Sequence, residues 1–164
     1  MEYLVIGKVV TTHGIKGEIK ILSDFKYKKE VFKKDFKIYI GENKEEFIIN
    51  SYRVHKNYDM ITLEGFYNIN DVLRFRNKKV YIDKSSLNID GYLDEDLIGL
   101  DIVMNGKVIG KVKSVVKIPK NDLLEISNQN KVFYIPNNNN VIEKVDIENK
   151  KIIIKYIEGL VEWK

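Results

Sequence analysis

The fifteen residues GKVVTTHGIKGEIKI, from Gly7 to Ile21, constrain the fold more than any other part of the chain. Extended backbone sends alternate side chains to opposite faces. Val5, Gly7, Val9 and Thr11 then share one side of a first strand, and Leu4, Ile6, Lys8 and Val10 the other. After a short loop, Glu18 and Lys20 alternate with Ile19 and Ile21, giving a second strand one wet and one dry face. Gly14 and Gly17 bracket the joint, where a tight reversal calls for positive φ or a close backbone approach. A histidine and lysines (His13, Lys16 and Lys20) are thereby carried on a rigid β scaffold.

The remainder is built mainly of short Ile, Val, Tyr and Phe runs with only two prolines, which predicts a mainly β protein. Strands are expected at 36–40 and 79–82, and a long hairpin at 46–55 and 60–63 around 56–59. Residues 68–76 suit a helix capped by Asn68 or Asn70, with Ile69, Val72 and Leu73 as its apolar stripe. Turn residues without periodicity fill 84–95. Beyond them, Asn105-Gly106 joins 100–104 to 108–116, since a two-residue type I′ turn needs positive φ at both positions. Further hairpins are expected at 123–127 with 132–135, and at 141–147 with 151–156. The spacing predicts two small β-barrels, residues 1–84 with one short helix and residues 96–164, joined by a linker over 85–95. No internal repeat is evident between them.

A length of 164 residues accommodates two such domains, each of modest stability. The hydrophobic share of 44% against a charged share of 32% describes a globular rather than a disordered chain. No apolar run approaches the ~18 residues of a membrane span, and no signal peptide opens the sequence. Cysteine is absent, which excludes disulfides, thiolate zinc sites and a cysteine nucleophile. His13 and His55 are the only histidines, too few for a multi-histidine metal site within one chain. The net charge of +4 is uneven: residues 1–86 carry seventeen Lys and Arg against twelve Asp and Glu, residues 87–164 eleven against twelve. A basic first half fits contact with a polyanion. The abundance of Lys, Ile and Asn equally fits an AT-rich coding bias.

Four sites carry candidate chemistry. In residues 24–37, Phe25, Phe32 and Phe36 are expected as anchors into the barrel. Lys26, Lys28, Lys29, Lys33 and Lys34 either track phosphates or are simply solvated. His13 is expected to fix the Gly14–Gly17 loop by a hydrogen bond rather than to act as an acid or base. Asp94, Glu95 and Asp96 read as a solvated acidic lead-in rather than a magnesium site. Tyr92 and Leu93 are two large side chains in a polar stretch; they either wedge between the domains or form an exposed anchor for a partner. No P-loop, GxGxxG or nucleophile elbow is present, so no enzyme, cofactor or metal is expected.

Six ordered patches resemble the RimM family of ribosome maturation factors: residues 7–21, DLIGLDIV with GKVIGKV over 96–112, PKNDLLEI at 119–126, FYIPN at 133–137, VIEKVDIENKKI at 141–152 and IEGL at 157–160. The resemblance implies a barrel similar to one of translation factors followed by a PRC barrel. It further implies a monomeric, non-catalytic factor in late assembly of the small-subunit (30S) head. Such a factor would bind small-subunit ribosomal protein nineteen, lie near 16S rRNA and support its processing. The family's paired tyrosines before DLIG correspond to Tyr92 and Leu93, so a second phenolic hydrogen bond is lost here. Docking is therefore expected through Tyr92, Leu93, Asp96 and Leu97, and RNA proximity through Lys16, Lys20 and the Lys26–Lys34 group. A general RNA-binding barrel and a metal-dependent ribonuclease are the competing classes.

Overall fold

A computed structural model describes residues 1–119 and 122–158. Lys120 and Asn121 of the 119–126 patch, and Gly159 and Leu160 of the closing IEGL, lie outside the described residues. The chain divides into two units between Asp90 and Gly91.

The first unit contains β1 (Tyr3–His13), β2 (Glu18–Leu22), α1 (Lys28–Val31), β3 (Lys37–Ile40), β4 (Glu45–His55), β5 (Tyr58–Leu63), α2 (Ile69–Val72) and β6 (Lys79–Asp83). The strands close into a barrel in the order β1-β2-β5-β4-β3-β6, with β6 returning antiparallel onto β1. Closure leaves no free edge to template aggregation. Ile6, Val9, Ile19, Ile21, Ile38, Ile61 and Val80 fill the interior, none more than 2% exposed. Phe47, Phe66 and Phe75 pack edge to face in the same core, with ring centroids 4.9 to 6.2 Å apart.

Two details depart from the sequence reading. The expected single helix over 68–76 is capped as expected, Asn68 Oδ1 accepting from the Asn70 amide at 2.9 Å. It then tightens after Val72 into a 3₁₀ turn over Leu73–Phe75, so Phe75 is buried and Leu73 is exposed. Strict alternation in β1 also fails. Val5 is 49% exposed while Val9 is fully buried, because the register against β6 shifts between Val5 and Gly7; a second shift, against β2, follows between Val9 and Thr11. Each bulge adds one unpaired residue and turns the strand's faces over.

The second unit comprises α3 (Asp94–Leu97), β7 (Asp101–Met104), β8 (Lys107–Val116), β9 (Leu123–Asn128), β10 (Lys131–Pro136), β11 (Ile142–Asp146) and β12 (Lys151–Ile154). Its ladder runs β10-β9-β8-β7-β12-β11. The Asn105-Gly106 turn has φ of 54° and 79°, as a type I′ hairpin requires. The pairing of β12 with β7 is parallel, a crossover that hairpin signals in the sequence do not announce. The six strands surround one core of Leu97, Ile102, Val112, Leu124, Ile126, Ile135 and Ile152.

The two units share a local device. The pentapeptide VIGKV occurs at 5–9 in β1 and again at 108–112 in β8, a local match between units whose strand orders differ. Ile6 and Ile109 are buried, as are Val9 and Val112, while Val5 and Val108 face solvent. Ile6 and Ile109 each occupy the bulge in one ladder, and Val9 and Val112 each sit opposite an isoleucine, Ile21 or Ile126, in the other. The glycine between is obligatory. A Cβ on Gly7 would lie 2.8 Å from Ile21 Cγ2, and one on Gly110 2.6 Å from Ile126 Cγ2.

The stretch 85–95 is partly structured. Lys84–Ser86 forms a 3₁₀ turn capped by Asp83, whose Oδ1 accepts from the Ser85 amide at 3.0 Å, and Leu87 packs on the first core. Among the described residues no helix is long and apolar enough to cross a membrane.

Candidate functional site

At the start of the second unit, α3 is held by its own first turn. The Leu93 amide donates to Asp96 Oδ2 at 2.9 Å, and the Asp96 amide donates back to the Leu93 carbonyl at 3.0 Å. The carboxylates of this turn sit where unpaired amides favour negative charge. Lys117 of β8 bridges Asp94 at 2.5 Å and Asp122 at 2.9 Å. Burial pulls the Lys117 ammonium down, but those two carboxylates outweigh it and hold its pKa above the ordinary value. Asp94 and Asp96 thus have structural partners, and among the described residues no three His, Asp or Glu side chains converge as metal ligands.

The expected docking residues divide. Tyr92 is half-buried against the second core, and Asp96 keeps its carboxylate on the Leu93 amide. Leu93 is 8% exposed and Leu97 fully buried, which corrects their expected role as surface contacts. The physical reason is the short helix itself: Leu93 caps it and Leu97 ends it, and both are buried, Leu97 together with Leu100 in the second core. Ile98, the residue after that helix, is 53% exposed.

In the first unit, the lysine-rich segment is clamped down by its aromatic and ionic groups. Phe32 is buried and stacks on Tyr52 with centroids 5.7 Å apart and planes 9° from parallel. Phe25 and Phe36 pack against the same core, as expected of anchors. Lys28 stands apart from the other lysines. Its ammonium lies 2.9 Å from Asp59 Oδ2, and Tyr52 donates its hydroxyl to Asp59 Oδ1 at 2.6 Å. Asp59 is only 2% exposed, so Lys28 serves as its counter-ion, which corrects the expectation that it faces a polyanion. Burial, and then the bond to Asp59, pushes the Tyr52 phenol up to about 12. Lys26, Lys29, Lys33 and Lys34 remain exposed, with Lys33 5.8 Å from the Phe36 ring centre.

The Gly14–Gly17 loop is fixed by backbone rather than by histidine. The Ile69 amide donates to the Ile15 carbonyl at 3.0 Å. Gly17 has φ +86°, and a Cβ there would sit 2.4 Å from the Phe66 carbonyl oxygen. Gly14 needs only its positive φ of 70°. The hydrogen bond expected of His13 is therefore replaced: its ring lies 5.4 Å from that of His55, tilted by 45°. Beside this pair, Arg53 grips Glu18 with Nε at 2.8 Å and a second nitrogen at 2.7 Å. That fork holds the Glu18 carboxyl below its ordinary pKa. Lys20 lies 4.6 Å above the Tyr58 ring, and Lys16 is exposed at the loop. The sequence gives His55 no site of its own; its position at the tip of the β4–β5 hairpin brings it to the end of the barrel where β1 finishes.

The two units correspond to known domains. The family model described as the RimM N-terminal domain matches residues 4–87, and that of the RimM PRC barrel domain matches residues 94–160. Ribosome maturation factor RimM of Finegoldia magna is 38% identical over 165 residues, spanning 98% of this chain and all of the relative. The protein of the same description from Geobacillus kaustophilus is 36% identical over 166 residues, spanning 96% of this chain and 95% of the relative. That of Streptococcus mutans is 34% identical over 171 residues, at 98% of both chains. With both domains matched in order and relatives aligned from end to end, the chain belongs to the RimM family of ribosome maturation factors.

Proposed function

We propose that this chain is a cytoplasmic, monomeric and non-catalytic factor for late maturation of the small ribosomal subunit. Its second unit docks on small-subunit ribosomal protein nineteen in the head, its first unit lies near 16S rRNA, and the pair supports processing of that RNA. The observation that carries this reading is the end-to-end similarity to proteins named ribosome maturation factor. The charge distribution supports the division of labour. Residues 1–90 hold seventeen Lys and Arg against thirteen Asp and Glu, whereas residues 91–164 hold eleven of each. A neutral unit avoids indiscriminate RNA contact, and a half-buried tyrosine on a fixed helix start suits a protein surface. The factor acts by binding one assembling conformation better than its competitors, which shifts the population towards it without chemistry.

The test is retention of purified small-subunit ribosomal protein nineteen by the full chain with no RNA present. Tyr92→Ala is expected to weaken that retention by about 2 kcal/mol, the cost of truncating an aromatic hot spot. Failure of the folded chain to retain this protein, or unchanged affinity in the folded variant, overturns the docking assignment. The basic first unit favours a second reading, a general RNA-binding protein. That reading predicts tight binding to free 16S rRNA that falls steeply with salt, and no retention of the ribosomal protein.

A further inference from the structure

We infer that His13 and His55, flanked by Lys20 and Lys56, form a phosphate-binding site for the RNA backbone at one end of the first barrel, and that the site strengthens as pH falls. The inference deepens the RNA-proximal reading of the first unit and rests on it.

Four strands bring the groups together. His13 ends β1, Glu18 begins β2 opposite it, and His55 ends β4 opposite Tyr58 at the start of β5. The two imidazoles stand with ring centres 5.4 Å apart, a separation at which one phosphate can accept an N–H from each. The unpaired charge is one-sided. Lys56 in the turn beyond His55 and Lys20 on β2 are cationic, Arg53 on the same strand is matched by Glu18, and His55 is influenced by all three and by His13. Lys16 adds a further exposed cation in the adjoining loop. Glu18 is the carboxylate of the cluster, and it is already spent on both sides of the Arg53 fork. Tyr58, the facing group on β5, lies under Lys20, which stands 4.6 Å from its ring centre.

The cluster therefore lacks the anion that its cations call for. Burial, then Arg53, His13, Lys56 and Lys20, hold the His55 pKa below its ordinary value, so in the free protein this ring resists protonation. A phosphate arriving between the rings reverses that balance, and the His55 imidazole takes up a proton on binding. Next to the pair, Ile15 is 77% exposed on a loop whose backbone is pinned to the Ile69 amide. A rigid apolar tip beside a phosphate site suits the sugar and base edge of single-stranded or looped RNA.

The experiment is a titration of the full chain with a single-stranded oligouridylate, following imidazole signals by NMR and affinity by fluorescence anisotropy between about pH 7.5 and about pH 6. The expected result is a rise in the apparent pKa of His55 on RNA binding, with the signals of both rings shifted by the bound phosphate. Affinity is expected to gain about threefold to tenfold per pH unit, the range for one ring taking up a proton. His13→Gln with His55→Gln should abolish that gain while leaving a salt-dependent remainder from the lysines. Both positions are partly exposed, and an unchanged amide spectrum confirms that the double variant folds. RNA binding with unmoved imidazole signals, or a pH dependence that survives in the double variant, overturns this inference and leaves the RNA-proximal reading standing. Absence of RNA binding at either pH overturns both.

Discussion

The same five residues, VIGKV, build a corner in each unit, yet the two corners sit in different surroundings. In β1 the strand belongs to a closed barrel; in β8 it lies near the middle of a ladder that ends at β10 and β11. The isoleucine occupies a bulge and the second valine faces an isoleucine across the next strand in both cases. What differs is the strand's outer neighbours. Around β1, Lys20 and the histidine pair gather at its far end beside the Arg53–Glu18 fork. Around β8, Lys111 pairs with Asp101 at 2.7 Å and Lys117 with Asp94 and Asp122. One motif sets how a strand bends. The charges placed around it decide what the bent sheet can meet.

The glycines offer the sharpest way to separate the units. Gly17→Ala should have the largest effect, about 3 kcal/mol of lost stability. It combines φ +86° with a Cβ 2.4 Å from the Phe66 carbonyl oxygen, and backbone cannot swing aside. Gly110→Ala and Gly7→Ala should each cost about 1–3 kcal/mol by overpacking. Gly110 is the worse of the two, since its Cβ would also meet the Ser127 carbonyl oxygen at 2.7 Å, against 3.0 Å from the Leu22 carbonyl oxygen for Gly7. Hydrogen exchange reads the outcome unit by unit. Gly7→Ala should deprotect β1 and β2 and leave β8 and β9 as they were, and Gly110→Ala the reverse. Equal deprotection of both units by either change would show that they unfold as one and would break the comparison.

Alkaline pH provides the next contrast. Tyr52 in the first unit has its phenol raised from 10.0 to about 12 by burial and by the bond to Asp59. A raised folded-state value means that the neutral phenol stabilises the fold fully below about pH 10, and that this contribution is lost as pH climbs through about 12. Tyr134 in the second unit is also raised, by its bond to Glu125, but it is half exposed and buries nothing by staying neutral. The first unit should therefore lose stability between about pH 10 and 12, and the second should lose less, because its raised groups, Tyr134 and Lys117, are partly exposed. Phenolate absorbance together with unit-specific exchange measures this. Tyr52→Phe should reduce the alkaline dependence, leaving the part carried by the Tyr39 phenol, which burial also raises, and should lower stability at neutral pH, because Asp59 then loses a donor inside the barrel.

Much of this architecture was legible in the sequence, and the failures have identifiable causes. The hairpin at Asn105-Gly106 and the Asn68 cap follow from local chemistry, because positive φ and an orphan amide each select a residue type. The alternation of Glu18 to Ile21 held because β2 carries no bulge against β5. In β1 it failed because a bulge adds a residue without leaving any composition signal. The same blindness hid the parallel β7–β12 pairing, where two short apolar strands carry no mark of the partner each will choose. Of the candidate sites, the aromatic anchors at Phe25, Phe32 and Phe36 were readable because bulk must be buried somewhere. Lys28 was not, since only the folded barrel brings Asp59 beneath it. Nor was the burial of Leu93 and Leu97, because the short helix that turns them inward spans the boundary drawn between the connector at 85–95 and the second barrel.

That correction of Lys28 defines the smallest predicted effect and the most discriminating. Lys29, Lys33 and Lys34 are exposed and pair with no buried group, so replacing all three by methionine should alter stability by no more than about 0.5 kcal/mol. If the segment meets RNA, the same triple change should reduce the dependence of subunit binding on salt, by nearly one counterion for each lysine in contact. Lys28→Met should do the opposite. It strips Asp59 of its counter-ion and destabilises the first unit by about 1–3 kcal/mol, a figure tempered by the partial exposure of the ammonium, while leaving the salt slope unchanged. Measuring unfolding midpoints and salt slopes on both variants separates lysines that hold the barrel from lysines that face outward. A flat salt response in the triple variant would reduce the segment to solvated surface, and the surplus charge of the first unit would then have to act through the histidine end alone.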